Sequence, residues 1–70
     1  MITVQAIKNI NGKPIRGLKV YIVAGGVRVA YTNANGEAMI NFPLPSKGKV
    51  VIDRQTVHEG TLQAYMKFYL

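Results

Sequence analysis

The side chains that could perform hydrolysis are few in this chain. It has one serine, Ser46, one histidine, His58, and three acidic residues, and a hydrolytic triad needs a nucleophile, a base and an orienting acid that meet in space. Asp53 would be the third member. Ser46 follows Pro45, as is common in loops, and no nucleophile-elbow motif surrounds it. We therefore expect no catalytic residues and no enzymatic activity.

The chain also lacks the residue patterns that a glycosidase, metal or phosphate-binding site needs. A glycosidase needs two carboxylates across a cleft, but Asp53 and Glu59 lie beside Arg54 and His58, where surface pairing is the simpler account. One histidine and no cysteine do not make a metal-ligand set. Gly25-Gly26 is followed by neither a helix pattern nor a Gly-Lys-Ser/Thr motif, so it does not predict a phosphate loop. No metal and no cofactor are expected.

The charge is strongly basic and unevenly distributed. The formal net charge is +6, and no acidic residue precedes Glu37. A one-sided positive field can attract nucleic acid, anionic lipid or an acidic protein, and it also disfavours aggregation. The charge alone therefore predicts at most non-specific binding to nucleic acid.

Targeting signals are missing from the chain as given. The first residues, MITVQAIK, have no basic segment ahead of a long apolar run, so no signal peptide is predicted. The longest uncharged apolar stretch, residues 20–27, is far shorter than the roughly 20 residues that a membrane span needs. We expect no membrane span, and the compartment stays open.

Length and composition predict one small globular domain over residues 1–70. A chain of 70 residues buries only about 60% of the surface that its unfolded form exposes, so its core must be thin. Its apolar fraction, 49%, is that of a folded protein. Without cysteine, packing and strand pairing must hold it together.

The apolar pattern has a period of two and is interrupted by turn residues at short intervals, which predicts an all-β chain. The last segment, TLQAYMKFYL, also fits a helix face, but its aromatics and the preceding Gly60 favour a strand. A turn region is expected over residues 54–60. Strands are predicted at residues 2–8, 18–24, 27–32, 37–42, 49–53 and 61–69.

Two turns predict a three-stranded meander over residues 18–42. A two-residue loop at Gly25-Gly26 places Ile22 opposite Val29, and a turn at Asn35-Gly36 places Val29 opposite Phe42. The strands at 2–8, 49–53 and 61–69 would form a second sheet that covers its apolar face. The predicted fold is a small antiparallel β-sandwich of about six or seven short strands. The predicted core face of the meander is Val20, Ile22, Val27, Val29, Tyr31, Ala38, Ile40 and Phe42.

Two segments carry a family resemblance. GKPIRGLKVYIV, residues 12–23, and YTNANGEAMINF, residues 31–42, resemble transthyretin-like modules of carboxypeptidase regulatory domains and bacterial Ig-like domains of the invasin type. The shared motifs are a Gly-x-Pro-hydrophobic-x-Gly segment and a Thr-Asp-x-x-Gly-x-hydrophobic turn, in which Asn33 replaces the usual acid. The resemblance implies an Ig-like or transthyretin-like sandwich that serves as a spacer, adhesion or interaction module, and fold likeness carries function only by analogy.

The outer face of the predicted meander is half apolar and carries two basic residues, and Tyr65 and Tyr69 are predicted to project outward from the last strand. Such surfaces fit a protein partner or self-association. The candidate interaction residues are Lys19, Tyr21, Val23, Arg28, Met39, Tyr65 and Tyr69. We predict a non-enzymatic structural or protein-interaction module that forms homo-oligomers through a terminal strand and the exposed tyrosines. The alternative is a small basic β-barrel, SH3-like or OB-like, that binds nucleic acid.

Overall fold

The computed structural model describes residues 1–70 and contains seven β-strands and no helix. The predicted all-β sandwich is confirmed. No helix is long and apolar enough to cross a membrane. The strands are β1 (Ile2–Ile7), β2 (Lys19–Val23), β3 (Val27–Tyr31), β4 (Glu37–Ile40), β5 (Lys47–Ile52), β6 (Gln55–Thr61) and β7 (Tyr65–Tyr69).

The strands form two sheets. One has three strands in the order β4-β1-β7, and the other has four in the order β3-β2-β5-β6. All neighbours are antiparallel except β1 and β7, which are parallel. The first strand is therefore central and has no free edge, so the part of the oligomer prediction that used residues 2–7 as an open edge is wrong.

The core lies between the two sheets. Alternate residues of β1, β2 and β5 point inward, as the period of two predicts. The largest fully buried side chains, which come from these three strands, are Ile2, Val4, Val20, Ile22, Val50 and Ile52. Because both sheets contribute side chains, the packing of one sheet against the other supplies most of the apolar burial that stabilises the fold.

The β2–β3 hairpin differs from the prediction by one residue. Val23 is opposite Val27 and Tyr21 is opposite Val29, so the loop has three residues, 24–26. A two-residue loop of the expected type needs positive φ at both positions or at the first, and its partner register is fixed by that choice. Here Gly25 alone has positive φ, and the Ala24 N–H donates to the Gly26 carbonyl at 2.9 Å.

A shift of one residue reverses both faces of β3. Val27, Val29 and Tyr31 point outward and are 59%, 46% and 61% exposed. Their predicted burial is wrong. Ala30 takes the inward position and packs against the core, opposite Val20.

The predicted meander is also wrong, because β4 does not pair with β3. It crosses to the other sheet and pairs with β1, which places Ile40 opposite Ile2. Ala38, Ile40 and Phe42 are buried as predicted, but against a different neighbour. The inward face of β4 follows from its alternation alone, whereas its partner strand depends on the direction in which the preceding turn sends the chain.

That turn is organised by the side chains of the resemblance motif. The Asn33 Oδ1 accepts hydrogen bonds from the backbone N–H groups of Asn35 at 2.8 Å and Glu37 at 3.1 Å. Buried Thr32 accepts with its Oγ1 from the Leu18 N–H at 2.8 Å. Asparagine thus supplies the acceptor oxygen that the usual acid of the motif would supply. These residues thus satisfy backbone N–H groups in the segment where the chain crosses between the sheets.

The remaining strands agree with the prediction in part. The turn expected over residues 54–60 is strand β6, and the tight turn lies just before it at Asp53-Arg54, where φ is 49° and 70°. Positive φ at both central residues is the mark of a type I′ hairpin. β5 joins the four-stranded sheet rather than the sheet of the terminal strands, and the C-terminal segment is a strand, as predicted, but only from Tyr65 to Tyr69.

Candidate interaction surface

The predicted interaction residues do not share one surface. Lys19, Tyr21 and Val23 lie on the outer face of the four-stranded sheet. Met39, Tyr65 and Tyr69 belong to the three-stranded sheet, on the opposite side of the sandwich. Arg28 belongs to β3, but its side chain turns toward the sandwich edge. The candidate set thus divides into two separate surfaces.

Arg28 closes the side of the sandwich. Its Nη1 donates to the Asn41 carbonyl at 3.1 Å, and its guanidinium lies 5.9 Å from the centre of the Phe42 ring. A guanidinium on an aromatic ring is a weak but favourable contact at an exposed site. Arg28 therefore links β3 to the segment after β4 and does not contribute to the outer face.

The outer face of the four-stranded sheet carries a contiguous apolar surface. Tyr21 stands between Val29 and Val51 in the register, and Val23 stands beside Val27. Tyr31 continues this surface opposite Lys19. We call this surface the valine–tyrosine face, and it consists of Tyr21, Val23, Val27, Val29, Tyr31 and Val51.

Sequence reasoning missed four members of this face: Val27, Val29, Tyr31 and Val51. The first three depend on the register of the β2–β3 hairpin. Valine or tyrosine alternates with arginine and alanine along β3, so the apolar pattern favours burial of Val27, Val29 and Tyr31, which is the opposite of what the structure shows. The register is set by the length of the loop, and the sequence Ala24-Gly25-Gly26 is compatible with a loop of either two or three residues.

Lys19 lies among the tyrosines of the face. Its ammonium is 5.0 Å from the centre of the Tyr21 ring, and its backbone is opposite Tyr31. A hydrogen bond with Tyr21, followed by the charges of Tyr21 and Tyr31, raises the pKa of Lys19 above its ordinary value. The cation is thus held beside aromatic rings at one corner of an otherwise uncharged surface.

The opposite corner of the face carries an exposed ion pair. The Lys49 Nζ is 3.5 Å from Glu59 Oε2, and both side chains are largely exposed, so the pair adds little to stability. Between this pair and Val23 lies a shallow depression. Its lining is Val23, Ala24, Gly25, Lys47, Gly48, Lys49, Glu59 and Gly60. The polar corners give the valine–tyrosine face a rim like that of protein interfaces.

The outer face of the three-stranded sheet has a different character. Met39 and Tyr65 flank Thr3 in the register, and the Tyr65 hydroxyl donates to Gln5 Oε1. The Gln5 side chain in turn donates to the Asn35 carbonyl at 3.0 Å. Polar residues of β1 thus separate the apolar ones, and Tyr65 is held within the chain.

The side chains considered for hydrolysis are engaged elsewhere. The Ser46 hydroxyl donates to the Pro43 carbonyl at 2.7 Å, and the His58 Nε2 lies 2.8 Å from the Thr61 carbonyl oxygen. His58 is on β6 rather than in a turn, and its ring is tilted toward that of Phe68. No group of three His, Asp or Glu side chains is placed to hold a metal ion.

Comparisons with protein-family models, with curated proteins and with solved structures find no match to this chain.

Proposed function

We propose that this chain is a non-enzymatic structural or protein-interaction module that makes its contact, including self-association, through the valine–tyrosine face. The observation that carries the proposal is a row of valines and tyrosines on the outer face of β2, β3 and β5 with no acidic residue among them. Val23, Val27, Val29 and Tyr31 are exposed, and Tyr21 and Val51 are half-buried. Contiguous exposed apolar surface with a polar rim is typical of protein contact sites.

The composition of the face supports this role. Tyrosine is enriched at interfaces because its ring buries a large area while its hydroxyl can still reach a polar partner. Tyr21 and Tyr31 provide such anchors, and the β-branched valines around them lose little side-chain entropy when they are covered. The resemblance to transthyretin-like and bacterial Ig-like modules supports the same reading by analogy.

Variants on the two outer faces test this proposal. Val27→Thr combined with Tyr31→Ser removes exposed apolar area from the valine–tyrosine face, and Tyr65→Ser combined with Tyr69→Ser does so on the opposite face. We expect the wild type to associate at micromolar concentrations in sedimentation velocity. The first double variant should sediment as a monomer of 7.7 kDa, and the second should behave as the wild type.

Two outcomes contradict the proposal. If only the Tyr65 and Tyr69 variant becomes monomeric, the contact belongs to the terminal strand and not to the valine–tyrosine face. If the wild type is monomeric up to about 1 mM, self-association is not its function. A dissociation constant above about 1 mM corresponds to a binding free energy of less than about 4 kcal/mol.

A second candidate function is binding of single-stranded nucleic acid, which the cluster of Lys19, Tyr21 and Tyr31 favours. A cation beside the Tyr21 ring, with Tyr31 opposite in the register, provides both attraction to a phosphate and aromatic surface on which bases can stack. We expect only non-specific binding, no tighter than about 10⁻⁵ M at physiological salt.

Fluorescence anisotropy with a labelled oligonucleotide tests this candidate between low and moderate salt. Non-specific phosphate contacts predict an affinity that falls steeply as salt increases from about 50 to 200 mM. Tyr31→Ala should weaken binding only if bases stack on this ring. A nanomolar, sequence-selective complex would instead make nucleic-acid recognition the main function.

A further inference from the structure

The free edge of β3 is open for hydrogen bonding. Its pairing with β2 leaves one side of the strand without a neighbour. At its two ends, the Thr32 N–H donates to the Leu18 carbonyl at 2.9 Å, and the Ala24 N–H donates to the Gly26 carbonyl at 2.9 Å. In an antiparallel pair hydrogen-bonded residues alternate with non-bonded ones. The even-numbered residues of β3 therefore bond to β2.

The odd-numbered residues of β3 consequently point their backbone groups to the open side. These are Val27, Val29 and Tyr31, and their N–H and C=O groups have no backbone partner elsewhere in the chain. The same residues supply the side chains of β3 on the valine–tyrosine face. One strand thus offers unpaired backbone groups and exposed apolar side chains together.

This edge is less protected than the edges of β6 and β7. Open edges are usually guarded by lysine, proline or a bulge. β7 carries Lys67 at its middle, β6 carries Glu59, and the only register irregularity lies between β5 and β6 at Val50/Val51. On β3 the one charged residue is Arg28, which is turned toward Asn41 and Phe42.

We propose that a second copy of this chain pairs antiparallel along β3, with a two-fold axis at Val29, so that the two four-stranded sheets become continuous. This inference rests on the proposed function and specifies its partner and geometry. In this register Val29 faces Val29 of the second copy, and Val27 faces Tyr31. All three residues then use their free backbone groups, which gives about six hydrogen bonds between the chains.

The side chains fit the same register. On the outer face, valine meets valine at the centre and valine meets tyrosine on both sides, which are favourable cross-strand pairs. On the inner side Arg28 faces Ala30, so the two like charges are not placed directly opposite. The lysines nearest to the axis, Lys19 in each copy, lie one strand away from the junction. The strand is therefore complementary to itself in one register.

Cysteine crosslinking tests this geometry, because the natural chain has no cysteine. In the proposed dimer the two Val29 Cα atoms lie about 5.5 Å apart, within the range that a disulfide bridges. Val29→Cys should therefore lose nearly all of its monomer band on a non-reducing gel under mild oxidation. Val51→Cys is the matched control, because it lies on the same face but two strands from the edge, and it should form no crosslinked dimer.

A mixing experiment tests the register itself. Val27→Cys and Tyr31→Cys should each crosslink poorly alone, whereas an equal mixture of the two should form the mixed dimer. Efficient crosslinking of Val51→Cys would mean that the faces stack on each other, which would overturn the edge pairing and leave the proposed function standing. Equally slow crosslinking of all the cysteine variants, at positions 27, 29, 31 and 51, would also overturn the β3 dimer.

Discussion

An Ile40→Asp substitution is expected to leave the chain unfolded, whereas Val29→Asp is expected to leave it folded. Ile40 is 4% exposed and packs in the core opposite Ile2, while Val29 is 46% exposed on the outer face. A buried carboxylate without a partner costs several kcal/mol. At about 0.1 kcal/mol per residue, a chain of this size has roughly 7 kcal/mol of total stability, so the core variant should lose most of it.

Circular dichroism and urea denaturation measure this pair. Both variants are compared at a protein concentration at which the wild type is monomeric, because Val29→Asp is also expected to prevent association. Val29→Asp should lose less than about 1 kcal/mol, as surface substitutions in strands usually do. If Val29→Asp were unfolded as well as Ile40→Asp, the register of β3 would be the one with Val29 inside.

Gly36→Ala is expected to be much more damaging than Gly25→Ala, although both glycines have a similar positive φ, 75° and 72°. A Cβ at position 36 would lie 2.6 Å from the Ala6 carbonyl oxygen and 2.9 Å from the Pro14 Cβ. A Cβ at position 25 would meet nothing within 4 Å. The cost of placing alanine at positive φ is common to both variants. The difference between their unfolding free energies therefore measures the close packing around Gly36.

The expected magnitudes follow from these two terms. The left-handed conformation costs about 1–2 kcal/mol for alanine, and overpacking adds about 1–3 kcal/mol, so Gly36→Ala should lose about 2–5 kcal/mol and Gly25→Ala about 1–2 kcal/mol. The midpoint of urea denaturation reports the difference. Equal losses in both variants would show that Gly36 is not packed against β1 and Pro14.

Much of the fold could be predicted because alternation and turn residues are local signals. The inward faces of β1, β4 and β5 follow from their period of two, and the strand at the C-terminus follows from its aromatics. Strand β6 could not be found in this way. Its sequence, QTVHEGT, has one strongly apolar residue, because the strand lies at a sheet edge with much of its surface in solvent.

Pairing is a non-local property and was the weaker part of the prediction. After Tyr31 the chain crosses to the other sheet through a turn in which Thr32 and Asn33 accept backbone hydrogen bonds, and neither the crossing nor these bonds can be read from alternation. The composition of the candidate interaction surface likewise depends on strand pairing. Lys19, Tyr21 and Val23 lie on the outer face as β2 alone predicts, while their neighbours on β3 could be identified only once the loop length was known.

The central claim, that the chain makes its contacts through the valine–tyrosine face, is tested most directly by nuclear magnetic resonance of backbone amides during dilution. Association places a partner next to the residues that it covers, so their amide signals should shift with concentration. We predict shifts for residues of β2 and β3, largest at Val27, Val29 and Tyr31, and constant signals for β7. Shifts confined to β7, around Tyr65 and Tyr69, or signals that do not change at any concentration, would contradict the claim.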